Sequence, residues 1–170
     1  MTDEKVSILP EKPADLPAVA ALSARAVGPG RFARTAYRVR ERGAAVDGLS
    51  FAAWSGDELI GSIRFTELII GGEEGALLLG PLVIDPRFVS RGCGLALIEQ
   101  GLKQARKNGQ RLVILVGDLE YYERAGFVRC PEGQITLPGP VDPRRLLAAE
   151  LQEGTLAGYR GLARSLQASG

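Results

Sequence analysis

The 170-residue chain contains no histidine. That absence removes the Ser-His-Asp and Cys-His nucleophilic arrangements, and with them every histidine-ligated zinc site. Proton transfer is left to carboxylates, Tyr, Lys, Cys, backbone groups or water. Cysteine is nearly as scarce: Cys93 and Cys130 stand far apart, in no metal-type spacing, and read as free thiols of a cytoplasmic protein. A net charge of +1, from 21 Lys plus Arg against 20 Asp plus Glu, supplies no global field for nucleic acid or an anionic membrane. No apolar run approaches the roughly 20 residues of a membrane span. The opening Met1-Thr2-Asp3-Glu4-Lys5 has no apolar signal core.

What remains is an ordinary globular balance, 45% apolar and 24% charged, enough to bury one core. Val6 to Leu9 is β-prone and ends at Pro10. Asp15 is placed to cap a helix reaching Val27, and Gly28-Pro29-Gly30 breaks it. A second, arginine-rich helix is expected from Phe32 to Arg42. Phe51 to Trp54 and Leu59 to Ile70 then read as a hairpin about Ser55-Gly56-Asp57. After the turn from Gly71 to Gly75, Leu77 to Ile84 forms a strongly apolar strand. Leu95, Ile98, Leu102 and Ala105 give one face of a helix from Gly92 to Lys107, which Asn108-Gly109 stops. Arg111 to Val116 is a buried strand, Leu119 to Ala125 a short helix, and Gly126 to Arg129 and Gln134 to Leu137 are strands. Residues 139–170 read as a helical or irregular C-terminal extension of a single domain, with Asp142 capping Arg144 to Leu151. Hairpins combined with one strand-helix-strand crossover imply a mixed α/β sheet.

Two segments carry the chemistry. In the first, a buried strand ending at Asp85-Pro86 leads to Ser90-Arg91-Gly92-Cys93-Gly94, which opens a helix. Amides at a helix start lack internal partners and carry partial positive charge, so glycines there let a diphosphate approach the backbone. Alone, the same glycines equally describe a tight turn. The second, Asp118 to Phe127, contains Tyr121-Tyr122-Glu123-Arg124-Ala125-Gly126-Phe127. Together the two segments resemble the GNAT superfamily of N-acetyltransferases. The first matches its coenzyme A loop, Gln/Arg-x-x-Gly-x-Gly/Ala, and the second its aromatic-Tyr-x-x-x-Gly-Phe element. The direct Gly117-Asp118 to Tyr121-Tyr122 connection is similar to the YhbS-like bacterial branch.

The resemblance implies a GNAT-like fold, a central mixed sheet of six or seven strands flanked by helices. It implies acetyl-CoA as cosubstrate, no metal, an amine acceptor, and a homodimer as one assembly. Leu82, Val83 and Ile84 would offer backbone groups to the pantetheine arm as an added strand would. Val89, Ser90, Arg91, Gly92, Cys93 and Gly94 would hold the pyrophosphate, and Tyr122 would stand beside the thioester sulfur. Val89 departs from the pattern: it keeps the backbone amide of the usual Gln or Arg but loses the side-chain contact, for which Arg87 is a candidate replacement.

A lysine-like amine has a pKa near 10.4, so presenting it neutral at pH 7 costs about 4.6 kcal/mol. The departing thiolate also needs a proton, which a phenol such as Tyr122 can give. Tyr122 reads alternatively as a core aromatic. Glu67, Asp85 and Asp118 are candidate bases, beside simple loss of the proton to water. A helix start is expected to depress the Cys93 thiol pKa. Arg31, Arg34, Arg38, Arg40 and Arg42 either edge a cleft or form a solvated face. Two other functions fit parts of the chain. One is a non-catalytic coenzyme A sensor with the same residues. The other is a dinucleotide-binding oxidoreductase, against which stand Leu97 at the third glycine position and the opening hairpins.

Overall fold

The computed structural model describes residues 6–26, 45–89 and 91–166. The expected Phe32 to Arg42 helix, its arginines and Ser90 lie outside them. Strand β1 (Val6–Pro10) leads through a 3-10 turn (Pro13–Asp15) into α1 (Leu16–Ala26). Asp15 does not cap that helix. Its carboxylate accepts the Lys12 backbone N–H at 2.8 Å, the back-reaching half of a capping box, so the turn begins three residues earlier than expected.

Strands β2 (Ala45–Ser55), β3 (Glu58–Ile70) and β4 (Glu73–Ile84) form an antiparallel meander. Its second turn is only Gly71-Gly72, both left-handed with φ of +55° and +90°, the turn geometry that matches strand twist. Along β3, Ile63 and Phe65 enter the core beneath α2 (Cys93–Lys107), while Ser62, Arg64 and Thr66 alternate to the opposite face. Helix α2 is the crossover from β4 to the parallel strand β5 (Leu112–Val116). It buries Leu97, Ile98, Leu102 and Ala105, with Leu95 only half-buried. The Phe65 ring fills the place a side chain at Gly101 would take.

After α3 (Leu119–Tyr122) come β6 (Val128–Arg129), β7 (Ile135–Thr136), β8 (Leu146–Glu150) and β9 (Gly161–Ser165). The sheet runs β1-β2-β3-β4-β5-β8-β6, with β9 pairing both β3 and β7. Nine strands are thus found among the described residues, where six or seven were expected. The difference lies in the C-terminal region. Asp142 does accept the Arg144 N–H at 3.0 Å, but only a 3-10 turn, Pro143–Arg145, follows. The Leu146 to Glu150 stretch, expected as helical or irregular, is the strand β8, paired with β5 from Leu146↔Val116 to Glu150↔Leu112. Its Leu147 and Ala149 enter the core under α2, and its Leu146 and Ala148 enter the core on the opposite face. Burial on both faces overrides the helix preference of Leu-Leu-Ala-Ala-Glu.

Candidate active site at the open edge of the central strand

The β4–β5 ladder is short. Ala76, Leu77 and Leu78 pair with Leu112, Val113 and Ile114, and there it stops. Just beyond, β4 spends three residue steps, Leu79 to Leu82, against two on β3, Phe65 to Ile63. The extra residue falls at Gly80-Pro81, joined by a cis peptide, and such a bulge bends its strand. Strand β4 stays with β3 up to Gly61↔Ile84, and β5 stays with β8 to its end. The sheet therefore parts between them. Leu82, Val83 and Ile84 hold β3 on one side and offer unpaired backbone on the other.

The loop leaving that edge is anchored by Asp85, 2% exposed. Its carboxylate accepts the Arg87 backbone N–H at 2.9 Å, Arg87 Nε at 3.1 Å and Nη2 at 2.9 Å, and Arg25 Nε at 3.2 Å. The side-chain hydrogen bond from Arg87, against the opposing effect of burial, holds this carboxyl well below the usual carboxylate range. Asp85 is therefore a fixed anion and a poor base. Arg87 also donates to Glu58 at 2.6 Å, so its Nε and Nη2 already hold the loop instead of standing in for the side chain missing at Val89. Val89 is 57% exposed, and the Arg87 and Arg91 guanidiniums lie over the Phe88 ring at 5.6 and 5.4 Å.

Gly92 precedes α2 with φ +80°, and a Cβ there would meet open space; backbone conformation alone demands glycine. Cys93 and Gly94 are buried in the first turn. Burial pushes the Cys93 thiol pKa up, the reverse of the expected depression. Gly94 has a different requirement, since a Cβ on it would fall 2.1 Å from the Tyr121 hydroxyl.

The two tyrosines of α3 diverge. Tyr122 lies against Gly117 at the end of β5, with its ring centroid 5.0 Å from Tyr121 and 5.8 Å from Phe127, both edge-on. Burial first, then Tyr121 and Asp118, push its phenol up to about 12, so it is protonated at neutral pH. Tyr121 points to the first turn of α2, and burial raises its phenol too. Sequence reasoning missed Tyr121. The signal was the doublet itself, because neighbours on a helix turn about 100° apart and so face different surroundings.

Leu82 to Ile84, Val89, Arg91 to Gly94 and the two tyrosines thus gather around the parted strands. Glu67 does not join them: it lines a small pocket with Gly109, Gln110 and Arg111, at the other end of α2. Asp118 is exposed at the end of β5 and pairs with Arg145 at 3.5 Å. Among the described residues no helix is long and apolar enough to cross a membrane.

Residues 19–127 match the acetyltransferase (GNAT) family. The structure resembles YhbS from Escherichia coli, a GNAT N-acetyltransferase solved with CoA, with a TM-score of 0.83 and 23% identity over 97% of this chain and 92% of that one. A GNAT acetyltransferase from Brucella melitensis, solved with acetyl-CoA, is 30% identical, with a TM-score of 0.64 over 85% of this chain and 96% of its own. Mycothiol acetyltransferase from Geodermatophilus obscurus is 39% identical over 46% of this chain. The chain spans only 28% of that relative's length and 23% of that of an N-acetyltransferase from Methanocaldococcus jannaschii.

Proposed function

Since this chain belongs to the GNAT family of acetyltransferases, we propose that it transfers acetyl from acetyl-CoA to a primary amine of a small molecule or peptide, by direct attack in a ternary complex. One observation carries the reading: the β4–β5 ladder ends at Leu78↔Ile114, leaving the Leu82 to Ile84 backbone open beside the first turn of α2. The residues fit such a cosubstrate. Leu82, Val83 and Ile84 take the pantetheine arm as a strand edge takes an added strand. The Arg91 to Gly94 turn takes the pyrophosphate on helix-start amides, with Arg91 as a charge-assisted donor. Val89 contributes only its amide, and Ser90 belongs to the same turn by sequence.

Acetyl-CoA supplies an activated thioester. The chain's own residues do the rest. The open amides near Val83 polarise the carbonyl oxygen, where electrostatic stabilisation is worth most. Tyr122, neutral at the pH of the reaction, gives its proton to the departing sulfur. We place all of this in one domain, residues 1–170, of a cytoplasmic protein.

A thermal melt with acetyl-CoA, CoA and NAD in parallel tests the reading. A ligand at 100 times its dissociation constant stabilises by about 2.7 kcal/mol, roughly 5–11 °C for this size. A shift with the CoA species, followed by thiol release when amines are added, supports the proposal. A shift with NAD alone, or none at millimolar ligand, sinks it. CoA binding without turnover of any amine makes the chain a sensor.

A further inference from the structure

None of the three carboxylates marked by the sequence is placed to serve as a base: Asp85 is locked, Glu67 is distant, and Asp118 is exposed and paired. A fourth is placed differently. Glu11 follows β1, where its backbone N–H donates to the Ser50 carbonyl at 2.8 Å. Its side chain, 7% exposed, reaches across β2 to β3. Among the described residues, Oε2 accepts Arg64 Nη2 at 2.9 Å, and Oε1 accepts only a long 3.4 Å bond from the Ser62 hydroxyl. One carboxylate oxygen is thus held and the other is nearly free. The Arg64 side chain is 30% exposed, so solvent reaches the outer end of the cluster.

Its position matters. Ser62 and Arg64 point away from α2, onto the face that Val83 shares with α1. Ser62 pairs directly with Val83, and Arg64 lies beside the β4 bulge. Neighbouring strands are about 4.8 Å apart, so the Glu11 carboxylate sits about one strand from the β4 segment whose far edge is open. Two further polar atoms of this patch, Ser50 Oγ and Arg64 Nε, are buried without a hydrogen-bond partner. Such orphaned groups are uncommon, and each calls for a reason.

We propose that Glu11, steadied by Arg64 and Ser62, is the general base that takes the acceptor's proton through one water. This rests on the acetyl-transfer reading above. The order across the sheet is then carboxylate over β3, nucleophile over β4, acyl group at the open edge. The ammonium gives one proton to Glu11, its nitrogen bonds the acyl carbon, the carbon–sulfur bond breaks, the thiolate takes the Tyr122 proton, and the second proton leaving the nitrogen returns through water to the Tyr122 oxygen. The acceptors it serves are those that arrive as ammonium ions.

The experiment compares wild type with Glu11→Gln and Glu11→Asp, scoring CoA-induced melting shifts and thiol release. Spermidine and a lysine peptide are the ammonium acceptors, and hydroxylamine, largely neutral at pH 7, is the acceptor that needs no base. Expected for Glu11→Gln is an unchanged CoA shift, a loss of at least tenfold in kcat/KM toward the ammonium acceptor, an unchanged rate with hydroxylamine, and partial recovery in Glu11→Asp. An equal loss with both kinds of acceptor would make Glu11 merely structural and overturn the proposal, as would full activity in Glu11→Gln. A wild type that binds CoA and acetylates nothing overturns the enzymatic reading, and this inference falls with it.

Discussion

Replacing Asp85 with asparagine keeps the shape of a side chain that is 2% exposed and removes its charge. The carboxylate accepts four hydrogen bonds, three from Arg87 and one from Arg25. An amide offers one acceptor oxygen, and its NH₂ would face guanidinium donors with nothing to accept. Breaking one side of a buried ion pair costs about 3–5 kcal/mol. Arg25 and Arg87 are 42% and 59% exposed and regain water when released, which argues for the lower end, about 3 kcal/mol. At about 2–4 °C per kcal/mol, the melting temperature should fall by roughly 6–12 °C. The pH dependence gives a second check. The folded-state carboxyl is held below its ordinary value by the hydrogen bonds from Arg87, so its contribution is complete above the unfolded value near 3.9 and is lost as pH falls through the folded value. The gap between wild type and variant should therefore be flat from pH 5 to 7 and narrow below about pH 4. A gap under about 2 °C at pH 7, or one that widens in acid, would refute the reasoning.

Tyr122→Phe should lower kcat by roughly 10²–10⁴-fold, the scale of general acid catalysis, with CoA binding intact in a melt; an unchanged kcat removes Tyr122 from the chemistry. Gly92→Ala meets no atoms but must hold φ +80°, so it should cost about 1–2 kcal/mol by denaturant unfolding and weaken CoA binding measured by calorimetry. Gly101→Ala puts a methyl 2.3 Å from the Phe65 ring, and should destabilise by about 1–3 kcal/mol despite alanine's better helix propensity; a gain in denaturant midpoint would show that the ring can move.

Local signals carried through to the structure. The Gly92-x-Gly94 turn, the spacing of Ile98, Leu102 and Ala105, and Tyr122 near the end of β5 all follow from neighbours in the sequence. What the sequence hid is long-range. The parting of β4 from β5 depends on which strand each keeps as partner, and β8, which holds β5, reads locally as helical or irregular. Glu11 lies in Pro10-Glu11-Lys12-Pro13, an unremarkable strand exit, and only the β2–β3 register brings Arg64 and Ser62 to it. The Cys93 direction failed for the same reason: a helix start is visible in the sequence, and the depth of burial is not.

The position of β8 has a consequence for synthesis on the ribosome. Leu112 to Val116 is an uncharged, β-branched run that needs Leu146 to Glu150 as its antiparallel neighbour. Leu146 comes thirty residues after Val116. At about 5–20 residues per second, β5 waits roughly 1.5–6 s with a bare edge, the condition that invites strand-to-strand aggregation. The core of this protein closes late, and a nascent chain stalled before Leu146 is the form that chaperones would need to shield.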